Sequence, residues 1–120
     1  MKAPPIGIVR TLPQIYADPQ QDACKNYRAS IANPECSWFL ALAQRPKHDL
    51  LFVYIVINGK IDARFNFAGI REGGRDVRLW DGTVRKPKCW AICTGPVSRP
   101  PFEIKKRGFQ GFRYVTEPLW

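Results

Sequence analysis

The pattern of apolar and polar residues changes near residue 50, and the part of the chain before it carries the signals of helices. Asp18-Pro19 and Asn33-Pro34 each pair a capping residue with a proline. Such pairs open helices, because the capping side chain accepts hydrogen bonds from free N–H groups and proline fixes the first turn. The first predicted helix runs to about Ala32, and the second ends at Arg45-Pro46. The sequence therefore predicts two consecutive N-terminal helices.

Apolar side chains on these helices are predicted to contribute to the core. Ala23, Tyr27 and Ile31 recur at a helical spacing of four residues. Trp38 and Phe39, in the second predicted helix, are both interpreted as core residues rather than as a binding platform. Ahead of the helices, residues 6–9 are expected to add a strand at the edge of a sheet.

After residue 50 the pattern is that of strands. Residues 50–57 form a continuous apolar, β-branched run, as expected of a central strand covered on both faces. Asn58-Gly59 follows, and both residues tolerate the positive φ of a type I′ hairpin turn. The partner strand alternates, and one face of it carries Ile61, Ala63, Phe65 and Phe67. This segment predicts a β-hairpin.

Further strands are predicted at residues 76–80, 88–94, 102–104 and 112–115. Gly95-Pro96 is expected to end the second of these. The apolar residues Pro118-Leu119-Trp120 are expected to dock either on the same domain or on a second copy. Helices thus precede strands without a linker or an internal repeat. The sequence predicts one domain spanning residues 1–120, with an α+β fold in which N-terminal helices pack on a curved antiparallel sheet or small open β-barrel.

The charge of the chain narrows the class of partner. Its 120 residues include 19 Lys and Arg against 10 Asp and Glu, which gives a net charge of +9. Such an excess favours nucleic acid (RNA or DNA), an anionic membrane or an acidic protein surface as partner. The longest apolar run, residues 50–57, is too short to span a membrane, and no signal helix opens the chain. We therefore expect a cytoplasmic protein with no membrane partner.

The cysteines and the histidine do not predict a metal site. The four cysteines form no C-x-x-C pair, and the single histidine, His48, has no partner at metal-ligand spacing. In the predicted strand at residues 88–94, Cys89 and Cys93 share the face opposite Trp90. They are too far apart for a disulfide, so buried free thiols are expected. No metal or other cofactor is predicted.

A basic segment rich in aromatic residues, residues 80–114, carries the candidate binding site. Cations meet phosphates and aromatic rings stack on bases, so this mixture suits a nucleic acid. The candidate stacking residues are Trp80, Trp90 and Tyr114. The candidate phosphate contacts are Arg85, Lys86, Lys88, Lys105, Lys106, Arg107 and Arg113. The structural alternative is that the aromatic residues pack in the core and the cations lie on a solvated surface.

No motif in the chain indicates catalysis. The sequence contains no Gly-x-Ser-x-Gly elbow, no phosphate-binding glycine-rich loop with lysine and no conspicuous pair of carboxylates. His48 and Asp49 are neighbours, but adjacent residues of a strand point to opposite faces. No catalytic residue is assigned, and an enzyme is the minority interpretation.

Three motifs in the second half of the chain resemble a known family. They are WAICTGPV at residues 90–97, PPFEI at residues 100–104 and KRGFQGFRY at residues 106–114. Together they resemble the end of PUA-like domains, especially the ASCH and EVE branches. They are also similar to short phage and prophage proteins that end in Gly-Phe-x-Gly-Phe-Arg-Tyr. The resemblance implies a PUA-like barrel that recognises RNA or a modified base.

The resemblance and the charge leave three hypotheses for function. The first is nucleic-acid binding by a basic, phage-derived PUA-like domain through residues 85–88 and 105–113. The second is a phage-encoded inhibitor that docks the same surface on an acidic host-defence or nucleic-acid enzyme. The third is a small ASCH-type amidohydrolase. Lys88, Thr94 and Glu103 supply the residue types that the ASCH resemblance implies, but at a different spacing.

Overall fold

Strand pairing dominates the computed structural model, which describes residues 3–12, 25–33, 37–78, 84–108 and 111–120. The elements in chain order are β1 (Gly7–Leu12), α1 (Lys25–Ala32), β2 (Trp38–Leu42), β3 (Phe52–Ile57), β4 (Lys60–Glu72), β5 (Val77–Arg78), β6 (Val84–Arg85), β7 (Cys89–Ser98) and β8 (Phe112–Val115). The only helix among the described residues is α1, which coincides with the end of the first predicted helix. The predicted start of that helix lies outside the described residues.

Six strands form one curled sheet with the shape of a half-barrel, in the order β2-β7-β4-β3-β1-β8. β1 pairs with β3 in parallel, and the other neighbours are antiparallel. β5 and β6 pair separately as a short hairpin. The sheet is curved and open, as predicted, but it is mixed rather than antiparallel. The described residues are mostly β, so the prediction of an α+β fold built on N-terminal helices is not confirmed.

The second predicted helix is wrong, because residues 38–42 form β2. Its side chains alternate, with Trp38, Leu40 and Leu42 buried and Phe39 exposed. All five residues are apolar, so their order contains neither a helical nor a strand period. Antiparallel pairing with β7, from Trp38 opposite Cys93 to Leu42 opposite Cys89, decides the conformation.

The β3–β4 hairpin is confirmed, with one change in its register. Asn58 and Gly59 have φ of 53° and 76°, as a type I′ turn requires. Ile55 pairs with Ala63 but Val56 pairs with Ile61, so one residue of β4 forms a bulge. The bulge places Ile61 in a different apolar cluster from Ala63. The prediction that they share a face was therefore wrong.

Three other strand predictions are corrected by pairing. β1 is not an edge strand, because β8 pairs along its second side. β7 does not end at Gly95-Pro96 but continues through this cis peptide bond to Ser98. Residues 102–104 form no strand, and a single bridge between Lys60 and Lys105 holds that segment beside the β3–β4 turn. Non-local partners determine all three outcomes.

The two faces of the sheet carry separate apolar clusters. The larger cluster lies on the face against which α1 packs, called here the inner face. At its centre the rings of Tyr27, Trp38 and Phe65 meet with centroids 5.2 to 5.7 Å apart. The Tyr27 hydroxyl donates a hydrogen bond to the Asp62 carboxylate. This aromatic cluster joins α1, β2 and β4.

The smaller cluster lies on the opposite, outer face, over β1, β3 and the start of β4. Its buried members are Val9, Tyr54, Val56 and Ile61. Leu119 and Trp120 pack against them, and the Leu119 N–H donates to the Tyr54 hydroxyl at 3.1 Å. The C-terminal residues thus dock on the same domain, one of the two arrangements that the sequence left open.

The described part of the chain contains no helix long and apolar enough to cross a membrane. Cys89 and Cys93 are buried free thiols on the inner face, as predicted. Burial raises the pKa of the Cys93 thiol. Burial, followed by the charge and hydrogen bond of Asp62, raises the pKa of Tyr27.

These two shifts predict that the protein loses stability in alkali. A group whose folded pKa is raised stabilises the fold below its unfolded pKa, and this stability is lost as the pH rises. The free energy of unfolding should fall by about 1.4 kcal/mol per pH unit for each group. The loss due to Cys93 should begin at about pH 9, and the loss due to Tyr27 at about pH 10. Urea denaturation between neutral pH and about pH 11 measures this slope. Cys93→Ala should flatten it from about pH 9 and Tyr27→Phe from about pH 10, whereas slopes equal to that of the wild type would contradict the prediction.

Candidate nucleic-acid interface

The structure divides the predicted binding residues between the two ends of the sheet. Lys86 and Lys88 are exposed just before β7 begins. Lys105, Lys106 and Arg107, called here the turn-end cations, lie beside the β3–β4 turn, where the Lys106 N–H donates to the Gly59 carbonyl at 2.8 Å. β7 has 10 residues, so about 30 Å separates the two groups. The sequence predicted one basic surface, and the structure contains two.

Three other predicted residues remain, one of them on β8, one next to Lys86 and one outside the described residues. Arg113 is exposed on β8, opposite Val9 of β1. Arg85 belongs to β6, in the short hairpin that precedes β7. Trp80 lies outside the described residues.

Tyr114 makes a packing contact. Its ring meets the His48 ring edge-on at 5.0 Å, and its hydroxyl accepts a hydrogen bond from the Lys47 N–H at 2.9 Å. These contacts hold the loop between β2 and β3 against β8. The Tyr114 ring is therefore already engaged, which makes it less suited to stacking on a base.

Trp90 lies on the outer face of the sheet. β7 alternates as predicted, with Cys89, Ala91 and Cys93 buried on the inner face and Trp90 half-buried on the other side. On β2, the neighbouring strand, Phe39 is 44% exposed on this outer face. The prediction that Phe39 belongs to the core was wrong, because β2 is a strand and alternate residues face outward.

A cavity of about 550 Å³ lies over this part of the outer face, between the sheet and the β5–β6 hairpin. We call it the hairpin cavity, and the residues that define it are Phe39, Arg71, Glu72, Gly73, Arg75, Val77 and Trp90. The two aromatic residues come from β2 and β7, and Arg71 lies opposite Trp90 on β4. Cavities of this size hold small organic ligands.

Backbone contacts fix the end of the hairpin cavity. The Gly73 N–H donates to the Lys88 carbonyl at 3.2 Å, and the Gly74 N–H donates to the Pro87 carbonyl at 2.7 Å. A Cβ at Gly73 would lie 2.4 Å from the Pro87 oxygen, so only glycine permits this approach. Gly73-Gly74 thus closes the hairpin onto the start of β7.

Two cations, Arg71 and Arg75, line the hairpin cavity. The Arg71 guanidinium lies 5.3 Å from the centroid of the Phe39 ring. Neither Arg71 nor Arg75 forms an ion pair with a described residue. The carboxylate of Glu72 is bound by Arg45. This end of the sheet therefore presents cations and aromatic rings together.

The residues that the ASCH resemblance suggested for hydrolysis do not assemble. Lys88 and Thr94 are six residues apart along an extended segment, which corresponds to about 20 Å. Glu103 lies at the other end of the sheet and forms an ion pair with Lys60 at 2.8 Å. Three groups so placed cannot act on one bond, since general acid–base catalysis needs hydrogen-bond distances.

Sequence reasoning missed Phe39, Arg71 and Arg75 as candidate binding residues. Phe39 was hidden by the helical interpretation of residues 33–46. Arg71 and Arg75 fall between the predicted hairpin and the strand predicted at residues 76–80, where the sequence predicts no element. The signal that could have found Phe39 is a strand interpretation of residues 38–42, since it would have placed Phe39 on the face opposite Trp38.

Comparison of the chain with family models, with curated proteins and with solved structures finds no match.

Proposed function

We propose that this protein binds nucleic acid through the exposed cations at the two ends of its sheet. The observation that carries the proposal is that these cations form no ion pair with a described carboxylate, whereas neighbouring cations do. At the turn end, Lys60 pairs with Glu103 at 2.8 Å and Arg99 pairs with Asp62 at 3.2 Å. The turn-end cations have no such partner among the described residues. Uncompensated cations on one surface attract phosphates and release their counterions.

The sequence resemblance supports RNA or a modified base as the natural ligand of this surface. A curled, open sheet is compatible with the PUA-like barrel that the motifs at residues 90–114 suggest. We therefore propose a small PUA-like nucleic-acid-binding protein of phage origin that acts in the bacterial cytoplasm. The cations supply affinity, and the aromatic residues distinguish bases from a bare polyanion.

Binding to nucleic acid should depend strongly on salt. Fluorescence polarisation with short single- and double-stranded RNA and DNA should show affinity that falls steeply as salt increases. Replacing Lys105, Lys106 and Arg107 together by alanine removes three phosphate contacts. The slope of log K against log salt should then decrease in magnitude by about 2 on single strands, at about 0.7 for each contact.

A matched control separates local contacts from net charge. Lys47 is exposed but lies in the loop between β2 and β3, away from the turn-end cations. Lys47 belongs to neither group of candidate phosphate contacts, so Lys47→Ala should leave the slope almost unchanged. If the slope decreases equally for each charge removed at Lys47 and at the turn-end cations, the turn end is not a binding surface. If no probe binds at low salt, nucleic-acid binding itself is excluded.

A second candidate, an acidic protein partner, is favoured by one exposed side chain. Phe102 is 61% exposed and lies four residues or fewer from Lys105 and Lys106. An aromatic anchor beside cations is typical of a protein interface. Under this alternative, Phe102→Ala should abolish capture of the partner in a pull-down from a bacterial host lysate, while the protein binds none of the nucleic acids.

A further inference from the structure

We infer that the ligand is single-stranded and that one of its unpaired bases enters the hairpin cavity and stacks on Phe39. This inference rests on the proposed function and assigns a base-binding subsite to it. It involves residues that the sequence did not single out. The subsite lies at the end of the sheet opposite the turn-end cations, so the two can be tested separately.

The first support is the exposure of aromatic rings around one space. Phe39 on β2 is 44% exposed, and Trp90 on the adjacent strand β7 is half-buried. Both line the hairpin cavity. By contrast, Tyr27, Trp38 and Phe65 are buried on the inner face. An exposed ring beside a concave space can stack on any base, since every base has a π-face.

The second support is the position of Arg71. Its guanidinium lies 5.3 Å from the Phe39 ring centroid. At this distance Arg71 is within reach of a ligand that contacts the exposed Phe39 ring. Guanidinium planes stack on bases as aromatic rings do, so Arg71 can cover a base that lies on Phe39. Its N–H groups would then remain available to a phosphate oxygen.

The third support is the charge around the cavity. Arg71 and Arg75 line it, and Lys86 and Lys88 are exposed in the short segment between β6 and β7. Among the described residues, two carboxylates lie near these four cations. Glu72 is bound by Arg45, and Asp76 is exposed on the segment that leads into β5. The surroundings are therefore positive, and a phosphate attached to the inserted base meets cations on either side.

Size and access select a single strand. A volume of about 550 Å³ suits a nucleotide-sized ligand. Within a duplex both faces of each base are covered by neighbouring bases. A base must leave the stack before a protein ring can contact its face. A duplex can bind the turn-end cations and the other exposed cations outside the cavity, but only an unpaired base reaches Phe39.

Three probes separate stacking from electrostatics. They are an oligo(dT) of about 15 nucleotides, an abasic oligomer of the same length and a duplex of matched length. The abasic oligomer carries the same phosphates without bases. The wild-type protein should bind oligo(dT) about tenfold more tightly than the abasic oligomer, the increment expected from one stacked base. Fluorescence polarisation at fixed salt gives both dissociation constants.

The decisive variant is Phe39→Ala, because an exposed side chain can be removed without loss of the fold. It should lower the affinity for oligo(dT) about tenfold and leave the affinities for the abasic oligomer and the duplex unchanged. Phe39→Trp should restore the preference for bases. Leu51→Ala is the control, since it removes another exposed apolar side chain, one that does not line the hairpin cavity. The difference in tryptophan fluorescence between wild type and Trp90→Phe gives the emission of Trp90. This emission should decrease when oligo(dT) binds, because the base lies beside the indole.

The outcomes distinguish the subsite from the proposed function. If all three probes bind equally and Phe39→Ala changes none of them, nucleic-acid binding stands and the subsite is excluded. If the duplex binds more tightly than oligo(dT), the inference of a single-stranded ligand is overturned. If no probe binds, both the proposed function and the subsite fail.

Discussion

Replacing Phe65 with alanine is expected to lower the free energy of unfolding by about 3 to 5 kcal/mol. The side chain is fully buried in β4. Its ring centroid lies 5.7 Å from that of Tyr27 and 5.4 Å from that of Trp38. Removing it leaves a cavity between α1, β2 and β4 that these stiff neighbouring rings cannot fill. Urea denaturation followed by circular dichroism measures the loss.

The same substitution at an exposed site provides the control. Phe102 is 61% exposed, so Phe102→Ala should change the free energy of unfolding by no more than about 0.5 kcal/mol. Phe65→Leu keeps most of the volume and should cost about 1.5 kcal/mol or somewhat less. It remains measurable even if the alanine variant does not fold. Similar losses for Phe65→Ala and Phe102→Ala would contradict the burial of Phe65 in the aromatic cluster.

Removing the Trp120 side chain is expected to cost about 2 to 3 kcal/mol. The ring is half-buried and lies edge-on to Tyr54, with centroids 5.4 Å apart. The Arg64 guanidinium lies 5.1 Å from the centroid of the Trp120 ring and 4.6 Å from that of Phe52. The Trp120 Nε1–H donates to the Ser98 hydroxyl at 2.7 Å. Without the ring, the outer apolar cluster faces water.

Two milder variants separate the contributions of Trp120. Ser98→Ala removes only the acceptor of the indole N–H, and Trp120→Phe removes only the donor; each should cost about 1 kcal/mol. Trp120→Ala should also expose enough apolar surface to increase the binding of a hydrophobic dye. An unchanged unfolding midpoint for Trp120→Ala would show that the C-terminal residues do not stabilise the outer face.

The candidate site was predicted from the sequence only in part. A net charge of +9 and the mixture of basic and aromatic residues after residue 80 indicated a polyanion as partner. Trp90 was identified in this way, and it lines the hairpin cavity. Phe39 was not, because its exposure depends on β2 being a strand. The division of the cations into two groups depends on the length of β7, which ends four residues beyond the predicted end at Thr94.

The sequence by itself determined the local features of this protein. The β3–β4 turn forms at Asn58-Gly59 because these two residues adopt positive φ most easily, whatever surrounds them. The alternation around Trp90 follows from the pleat of a strand, which needs no knowledge of its neighbours. Net charge is likewise a property of composition alone. Each of these rests on residues within a few positions of one another.

Only the tertiary structure decided the features that depend on distant partners. Residues 38–42 are apolar throughout, so pairing with β7 some fifty residues later makes them a strand. β1 becomes an interior strand because β8, from the end of the chain, pairs with it. The hairpin cavity exists because β2, β4 and β7 are neighbours although they are distant in sequence. Backbone hydrogen bonds and burial between such segments are invisible to any local pattern, since their energy depends on which strands meet.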